Sequence, residues 1–174
     1  LPDDDSSADM EDLIQEQTTQ AGFDRYEVSA YAKNHARAQH NFNYWTFGDY
    51  LGIGPGAHSK ISSPDRIERL AVVRSPEQWL VAALKRDGSH WATRNELVES
   101  DMPFEFMLNA LRLKEGVAVA MYEERTGQTL SKMLPTLALA RKKGLLDLRA
   151  DRLVATPLGW RFLNTLQSLF IAPK

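Results

Sequence analysis

The sequence contains no cysteine, and this absence excludes more chemistry than any single residue supplies. Without thiols there is no disulfide framework. Nor are there thiolate ligands for zinc or for an iron–sulfur cluster within the 174 residues. Long apolar runs are missing as well, since nothing approaches the ~20 residues that a membrane-crossing helix needs. The opening Leu1-Pro2-Asp3-Asp4-Asp5 has neither the basic flank nor the apolar stretch of a secretory signal, so a cytoplasmic protein is expected. Charge of one sign is scarce, with a formal net charge of −2. Its distribution is uneven: residues 1–93 carry 9 basic and 14 acidic side chains (−5), and residues 94–174 carry 12 and 9 (+3). The asymmetry hints at two units, while +3 is too small to announce nucleic acid. There is no internal repeat and no low-complexity stretch. What is present is an apolar fraction of 43%, enough to bury a core.

The first half starts with a helix over Asp9 to Ala21. Met10, Leu13, Ile14 and Gln17 recur at helical spacing, Ser6 or Ser7 can cap the start, and Gly22 can end it. Arg25 to Tyr31 alternates and reads as one strand, so helix then strand resembles a unit of an α/β body. Lys33 to Ser59 reads as irregular. A hairpin is expected over Ile61 to Leu70 around Ser63-Pro64-Asp65. Ser75-Pro76-Glu77 then heads a helix to about Arg86, with Trp79, Leu80, Ala83 and Leu84 as its core stripe.

The second half is more regular. A helix from about Pro103 to Leu113 buries Phe104, Met107, Leu108 and Leu111. Shorter helices follow over Ala120 to Thr126 and from Ser131 to Arg141-Lys142-Lys143-Gly144. Leu145 to Leu148 and Leu153 to Ala155 read as two short strands, and Thr156-Pro157 opens a last helix to about Phe170. Three helices, a two-stranded wing and a closing helix describe a winged-helix-like domain.

Two segments could carry chemistry. His40-Asn41-Phe42-Asn43-Tyr44-Trp45 places an imidazole, a good ligand for heme iron, beside aromatic rings that can pack on a porphyrin. The alternative is a buried structural histidine among core aromatics. Gly52-Ile53-Gly54-Pro55-Gly56-Ala57-His58-Ser59 is neither a P-loop nor a dinucleotide fingerprint. It either offers backbone groups to an adenine edge or is a tight turn that needs glycine. Glu27 and Asp49 lie near these segments, but nothing pairs them as acid and base. Ser29 and Ser59 sit in no nucleophile elbow. His35 and His90 lie in polar surroundings and are expected on the surface. Lys132, Arg141, Lys142 and Lys143 could face a phosphate backbone or a solvated helix face.

Taken together, these motifs resemble a known family. Tyr26-Glu27-Val28-Ser29-Ala30-Tyr31-Ala32, His40-Asn41-x-x-Tyr44-Trp45 and Tyr50-Leu51-Gly52-Ile53-Gly54-Pro55-Gly56-Ala57-His58-Ser59 occur in the order seen in radical-SAM proteins of the HemN/HemW type. Phe104 to Leu113, Glu123-Glu124-Arg125-Thr126-Gly127 and Thr156-Pro157-Leu158-Gly159 look like that family's carboxy-terminal domain. The resemblance implies an α+β fold. Residues 1–93 would be the end of a radical-SAM α/β barrel with its connecting segment, and residues 94–174 a helical, winged-helix-like HemN C-terminal domain.

It also implies a heme chaperone, with oxygen-independent coproporphyrinogen III oxidase as the alternative; the winged-helix-like order and the +3 charge of residues 94–174 leave a nucleic-acid module as a third reading. By the resemblance His40 is the heme-iron ligand, with Tyr44 and Trp45 as neighbours, and His58 with Ala57 approaches the adenine of S-adenosyl-L-methionine (SAM). No catalytic residue is implied. The CxxxCxxC triad that holds the family's [4Fe-4S] cluster is missing, so the chain reads as a fragment that does not itself generate a radical. Its uncovered strand edges and apolar faces imply self-association.

Overall fold

The computed structural model describes residues 2–149 and 151–172. The first helix, α1, spans Asp4–Gln20 and starts earlier than its apolar spacing suggests. Asp3 rather than a serine caps it, its carboxylate accepting the Ser6 N–H at 2.7 Å, with Asp4 and Asp5 favoured by the helix dipole. No residue of α1 is buried, and Met10, Leu13 and Ile14 all face outward.

Arg25 to Tyr31 is not one strand but two, β1 (Asp24–Glu27) and β2 (Ala30–Ala32), paired antiparallel with Arg25 opposite Tyr31. The reversal has a local cause: the Glu27 carboxylate accepts both the backbone N–H and the hydroxyl of Ser29, closing the turn.

The segment read as irregular contains a two-turn helix, α2 (Gln39–Trp45). Ala38 gives it no side-chain cap and its first turn carries no acid, so the usual start signals are absent. Strands β3 (His58–Ser62) and β4 (Ile67–Val72) form the expected hairpin. Helix α3 (Pro76–Lys85) begins as expected, with Ser75 accepting from Gln78 N–H. Its supposed core stripe is wrong, however. Leu80 and Leu84 are exposed, Leu84 by 73%, and the buried residue is Ala82. Strand β5 (Trp91–Glu96) then adds to β4 and completes a three-stranded antiparallel sheet.

The second half begins with α4 (Met102–Ala110), which buries Met102, Phe106, Met107 and Ala110, while Leu108 is exposed instead of buried. β6 (Val117–Ala118) and α5 (Val119–Thr126) follow, and Gly127 ends α5 in the left-handed region. A 3₁₀ turn over Leu130–Met133 leads into α6 (Leu134–Lys142), because Pro135 lacks the N–H that would continue an α-helix backward. β7 (Leu146–Arg149) and β8 (Arg152–Ala155) make the wing, and β6 joins it in the order β6-β8-β7, so the wing has three strands rather than two. The last helix is broken at Phe162 into α7 (Pro157–Arg161) and α8 (Leu163–Ser168). Each piece is anchored separately. Trp160 Nε1 donates to the Leu111 carbonyl, and Gln167 Nε2 donates to the Leu108 carbonyl, both at 3.0 Å.

The architecture is α+β, and no closed barrel forms among the described residues. Every strand pair in the three sheets is antiparallel. One core runs through both halves. Phe47 from the first packs edge-on to Phe106 at 5.7 Å, and Phe106 packs on Tyr122 at 5.3 Å, with Ile67 in the same cluster. This shared core holds α2 and the β3–β4 hairpin against the wing-bearing half.

Candidate functional site

The helical spacing of α2 sorts its motif into two faces. His40 and Tyr44, four residues apart, lie on one side, their rings edge to face at 6.2 Å. His40 is exposed on the first turn of the helix, which disposes of the buried structural histidine and leaves an imidazole open to a ligand. Trp45 points elsewhere. It packs against the core, and the Arg112 guanidinium lies 4.2 Å above its ring. The structure therefore brings His40 and Tyr44 together and gives Trp45 a supporting position.

Arg112 ties this helix to β1. Its Nη2 lies 3.2 Å from Glu27 Oε2, and Glu27 is 1% exposed. Val28 N–H also donates to the Arg112 carbonyl at 3.1 Å. Glu27, Arg112 and Trp45 therefore pack as one unit. Glu27 is thus a structural anchor and not half of an acid–base pair. Arg112 carries no sequence signal of this role, because its partner is 85 residues away.

The chain leaves α2 through a strained turn. Phe47 is buried with φ +58, and Gly48 N–H donates to the Asn43 carbonyl at 2.7 Å. A Cβ at Gly48 would overlap the Asn43 backbone carbonyl as well as its side chain, so glycine is required there. Lys60, 2% exposed, donates to Asp49 Oδ1 at 2.8 Å and to the Phe47 carbonyl at 3.0 Å. Burial pushes the Lys60 ammonium below its ordinary value, although the bond to Asp49 acts the other way. For Asp49, burial would raise the carboxyl, but the hydrogen bonds from Lys60 and Ser62 outweigh it and hold it below the usual range.

Tyr50 joins the two candidate segments. Its ring meets Tyr44 at 4.6 Å, and its backbone exchanges hydrogen bonds with Lys60, two residues along β3 from His58. The β3–β4 register makes odd-numbered β3 residues the hydrogen-bonded ones. The N–H and C=O of His58 accordingly turn, like those of Lys60, to the edge shared with Tyr50 to Gly52. Gly52 is glycine because a Cβ would overlap the His58 carbonyl. Ala57 is different: its carbonyl already accepts Val72 N–H at 2.9 Å. The glycine-rich segment therefore combines a close backbone approach at Gly52 with a tight turn in which Gly54 and Gly56 take positive φ. His35 is exposed as expected, while His90 is half-buried against Trp91.

Among the described residues there is no group of three or more His, Cys, Asp or Glu placed to hold a bare metal ion. A lone exposed imidazole still fits an iron already held by a macrocycle, which needs only an axial ligand. The chain has no thiol for an iron–sulfur cluster, and no helix among the described residues is long and apolar enough to cross a membrane.

Residues 97–162 match the family model of the HemN C-terminal domain. The chain is 39% identical over 173 residues to the heme chaperone HemW of Escherichia coli K12, covering 99% of this chain and 44% of that protein. It is 37% identical over 175 residues to the heme chaperone HemW of Haemophilus influenzae, covering 100% of this chain and 44% of the relative. A solved structure of coproporphyrinogen III oxidase (HemN) from Escherichia coli, described as a radical SAM enzyme, superposes with a TM-score of 0.69 at 16% identity. The match covers 98% of this chain and 42% of that one, and at that identity it establishes the fold. The chain spans about 44% of the length of the first two curated relatives. Residues 97–162 thus belong to the HemN C-terminal domain family, and the chain as a whole aligns with proteins named heme chaperone HemW.

Proposed function

We propose that this chain serves in a heme chaperone of the HemW type, in which His40 would supply a nitrogen ligand to heme iron with Tyr44 beside it. The observation that carries the reading is the exposed His40 imidazole, edge-on to Tyr44 on a helix held in place by the Trp45–Arg112–Glu27 unit. Relatives named heme chaperone HemW align over nearly the whole chain, and the oxidase alternative is not favoured. When bound, heme supplies the iron centre. His40 would offer one nitrogen to it with Tyr44 alongside, and Trp45 would support the helix from behind.

In the intact protein the [4Fe-4S] cluster is held by residues outside this chain. The backbone N–H and C=O of His58 at the strand edge would be the groups offered to the SAM adenine, with Ala57 adjacent. Division into units 1–93 and 94–174, a cytoplasmic setting and self-association through the exposed Met10, Leu13 and Ile14 face belong to the same reading. No observation favours nucleic acid as a partner.

The test is a pair of assays on the full-length protein. Heme titration gives saturable binding with a shifted absorption band, and incubation with SAM, reductant and coproporphyrinogen III gives no decarboxylation. Turnover of the porphyrinogen without heme binding would replace the chaperone by the oxidase.

A further inference from the structure

Between the β1–β2 hairpin and the wing lies a cleft of about 610 Å³, within the range of small-molecule sites. Five cations line it: Arg25, Arg37, Lys114, Arg149 and Arg152. Three of them are already neutralised. Arg25 pairs with Glu11 at 2.7 Å, Arg37 holds Glu115 with two bonds, and Arg149 pairs with Asp147 at 2.8 Å.

Arg152 and Lys114 are not. Arg152 donates through Nε and Nη2 to the backbone carbonyls of Glu115 and Gly116, at 3.0 and 2.7 Å. Those bonds fix the guanidinium; the Glu115 carboxylate also feels its charge but is already bonded to Arg37, and further N–H groups of Arg152 remain for another acceptor. Lys114 is exposed and has no carboxylate partner among the described residues. Asp24 at the same mouth offsets one charge, and His35 stands beside it with a positive φ, next to another positive-φ residue, Asn34. The rest of the lining is apolar or aromatic, with Tyr26, Ala32 and Val154.

A partly apolar lining that keeps a net positive charge, with Lys114 and Arg152 opposed only by Asp24, suits an apolar ligand that ends in carboxylates. Arg37 leads into α2 and lies three residues from His40, so their Cα atoms are at most about 11 Å apart. We propose that Lys114 and Arg152 bind the propionate carboxylates of the tetrapyrrole whose iron sits on His40. This rests on the heme-handling reading and adds to it the part of the protein that recognises the ligand's acidic edge. The winged domain would thereby share in holding the ligand instead of only supporting α2.

The test uses the full-length protein with three probes: heme, heme dimethyl ester and metal-free protoporphyrin. Lys114 is exposed, so Lys114→Glu and Lys114→Ala are expected to leave the fold intact, and the second variant separates charge repulsion from contact loss. Lys114→Glu weakens heme and the metal-free porphyrin by about tenfold or more, Lys114→Ala weakens them less, and neither changes the ester. Equal effects on heme and ester, or no effect on either, overturn the assignment. Metal-free porphyrin has carboxylates but no iron, so its response to Lys114→Glu is independent of His40. If His40→Ala leaves heme binding unaltered while this response persists, the axial ligand is wrong and the cleft assignment stands. If His40→Ala abolishes the heme spectrum and Lys114→Glu discriminates nothing, the cleft assignment alone fails.

Discussion

Replacing Arg112 by alanine is expected to destabilise the chain by about 3 kcal/mol. Glu27 is buried to 1% exposure, and Arg112 is its cationic partner at 3.2 Å. Breaking a fully buried ion pair from one side costs about 3–5 kcal/mol. Two features pull the figure to the low end: the Arg112 side chain is 26% exposed, and Glu27 retains the N–H and O–H of Ser29. Loss of the guanidinium above the Trp45 ring adds roughly 0.5–1 kcal/mol. Urea unfolding followed by tryptophan fluorescence measures the sum, and with a slope of about 2 kcal/mol/M the midpoint falls by roughly 1–2 M. Glu27→Gln alone costs less, because Arg112 keeps partial access to water. The double variant Arg112→Ala with Glu27→Gln is less destabilised than the sum of the two singles, with a coupling of about 1 kcal/mol or more. An Arg112→Ala midpoint within 0.3 M of the parent, or strictly additive variants, would refute the claim that these residues form one unit behind α2.

Two further substitutions test the supports of the site. Gly116 has φ +62, and a Cβ there would overlap the Leu153 carbonyl in the wing. Gly116→Ala therefore costs about 2–4 kcal/mol by strain and overpacking, read as a lower thermal midpoint. The Asp49 carboxyl is held below its ordinary 3.8 by Lys60 and Ser62, so it contributes stability that is present above the unfolded value and lost as pH falls through the depressed folded one. Asp49→Asn is thus less stable than the parent at pH 7, where Lys60 loses its carboxylate, and the gap narrows below about pH 3.8. Urea midpoints at pH 7 and pH 3 check this, and a gap that widens in acid contradicts it.

Much of the regular structure could be read from local cues. Ser75-Pro76 marked α3, Gly127 ended α5, and the β3–β4 hairpin followed from Ser63-Pro64-Asp65. Apolar spacing was a poorer guide to burial. Met10, Leu13 and Ile14 on α1 and Leu80 and Leu84 on α3 have helical periodicity yet face outward, because periodicity reports an amphipathic face and not what covers it. The β1–β2 reversal was hidden because its cause is a carboxylate-to-backbone bond within three residues of a sequence rich in β-formers. Helix α2 was hidden because it lacks every capping signal and is fixed by contacts from residues far along the chain.

The candidate site divides in the same way. His40, Tyr44, Trp45, Ala57 and His58 were all legible as a motif resemblance, but their arrangement was not. Nothing local separates Trp45, turned to Arg112, from Tyr44, turned to His40. Tyr50, which touches Tyr44 and pairs with Lys60, became a connector only once the sheet was formed. The basic cleft joins residues 24–37 to residues 114–154, a pairing that no local pattern encodes.

The central claim is that the open imidazole on the first turn of α2 takes the iron. The measurement is the ferric heme absorption spectrum of the full-length protein, parent and His40→Ala, recorded during titration. The account predicts that the alanine variant stays folded, loses the ligation band and binds heme at least tenfold more weakly. An unchanged spectrum with unchanged affinity in a folded His40→Ala protein would contradict it.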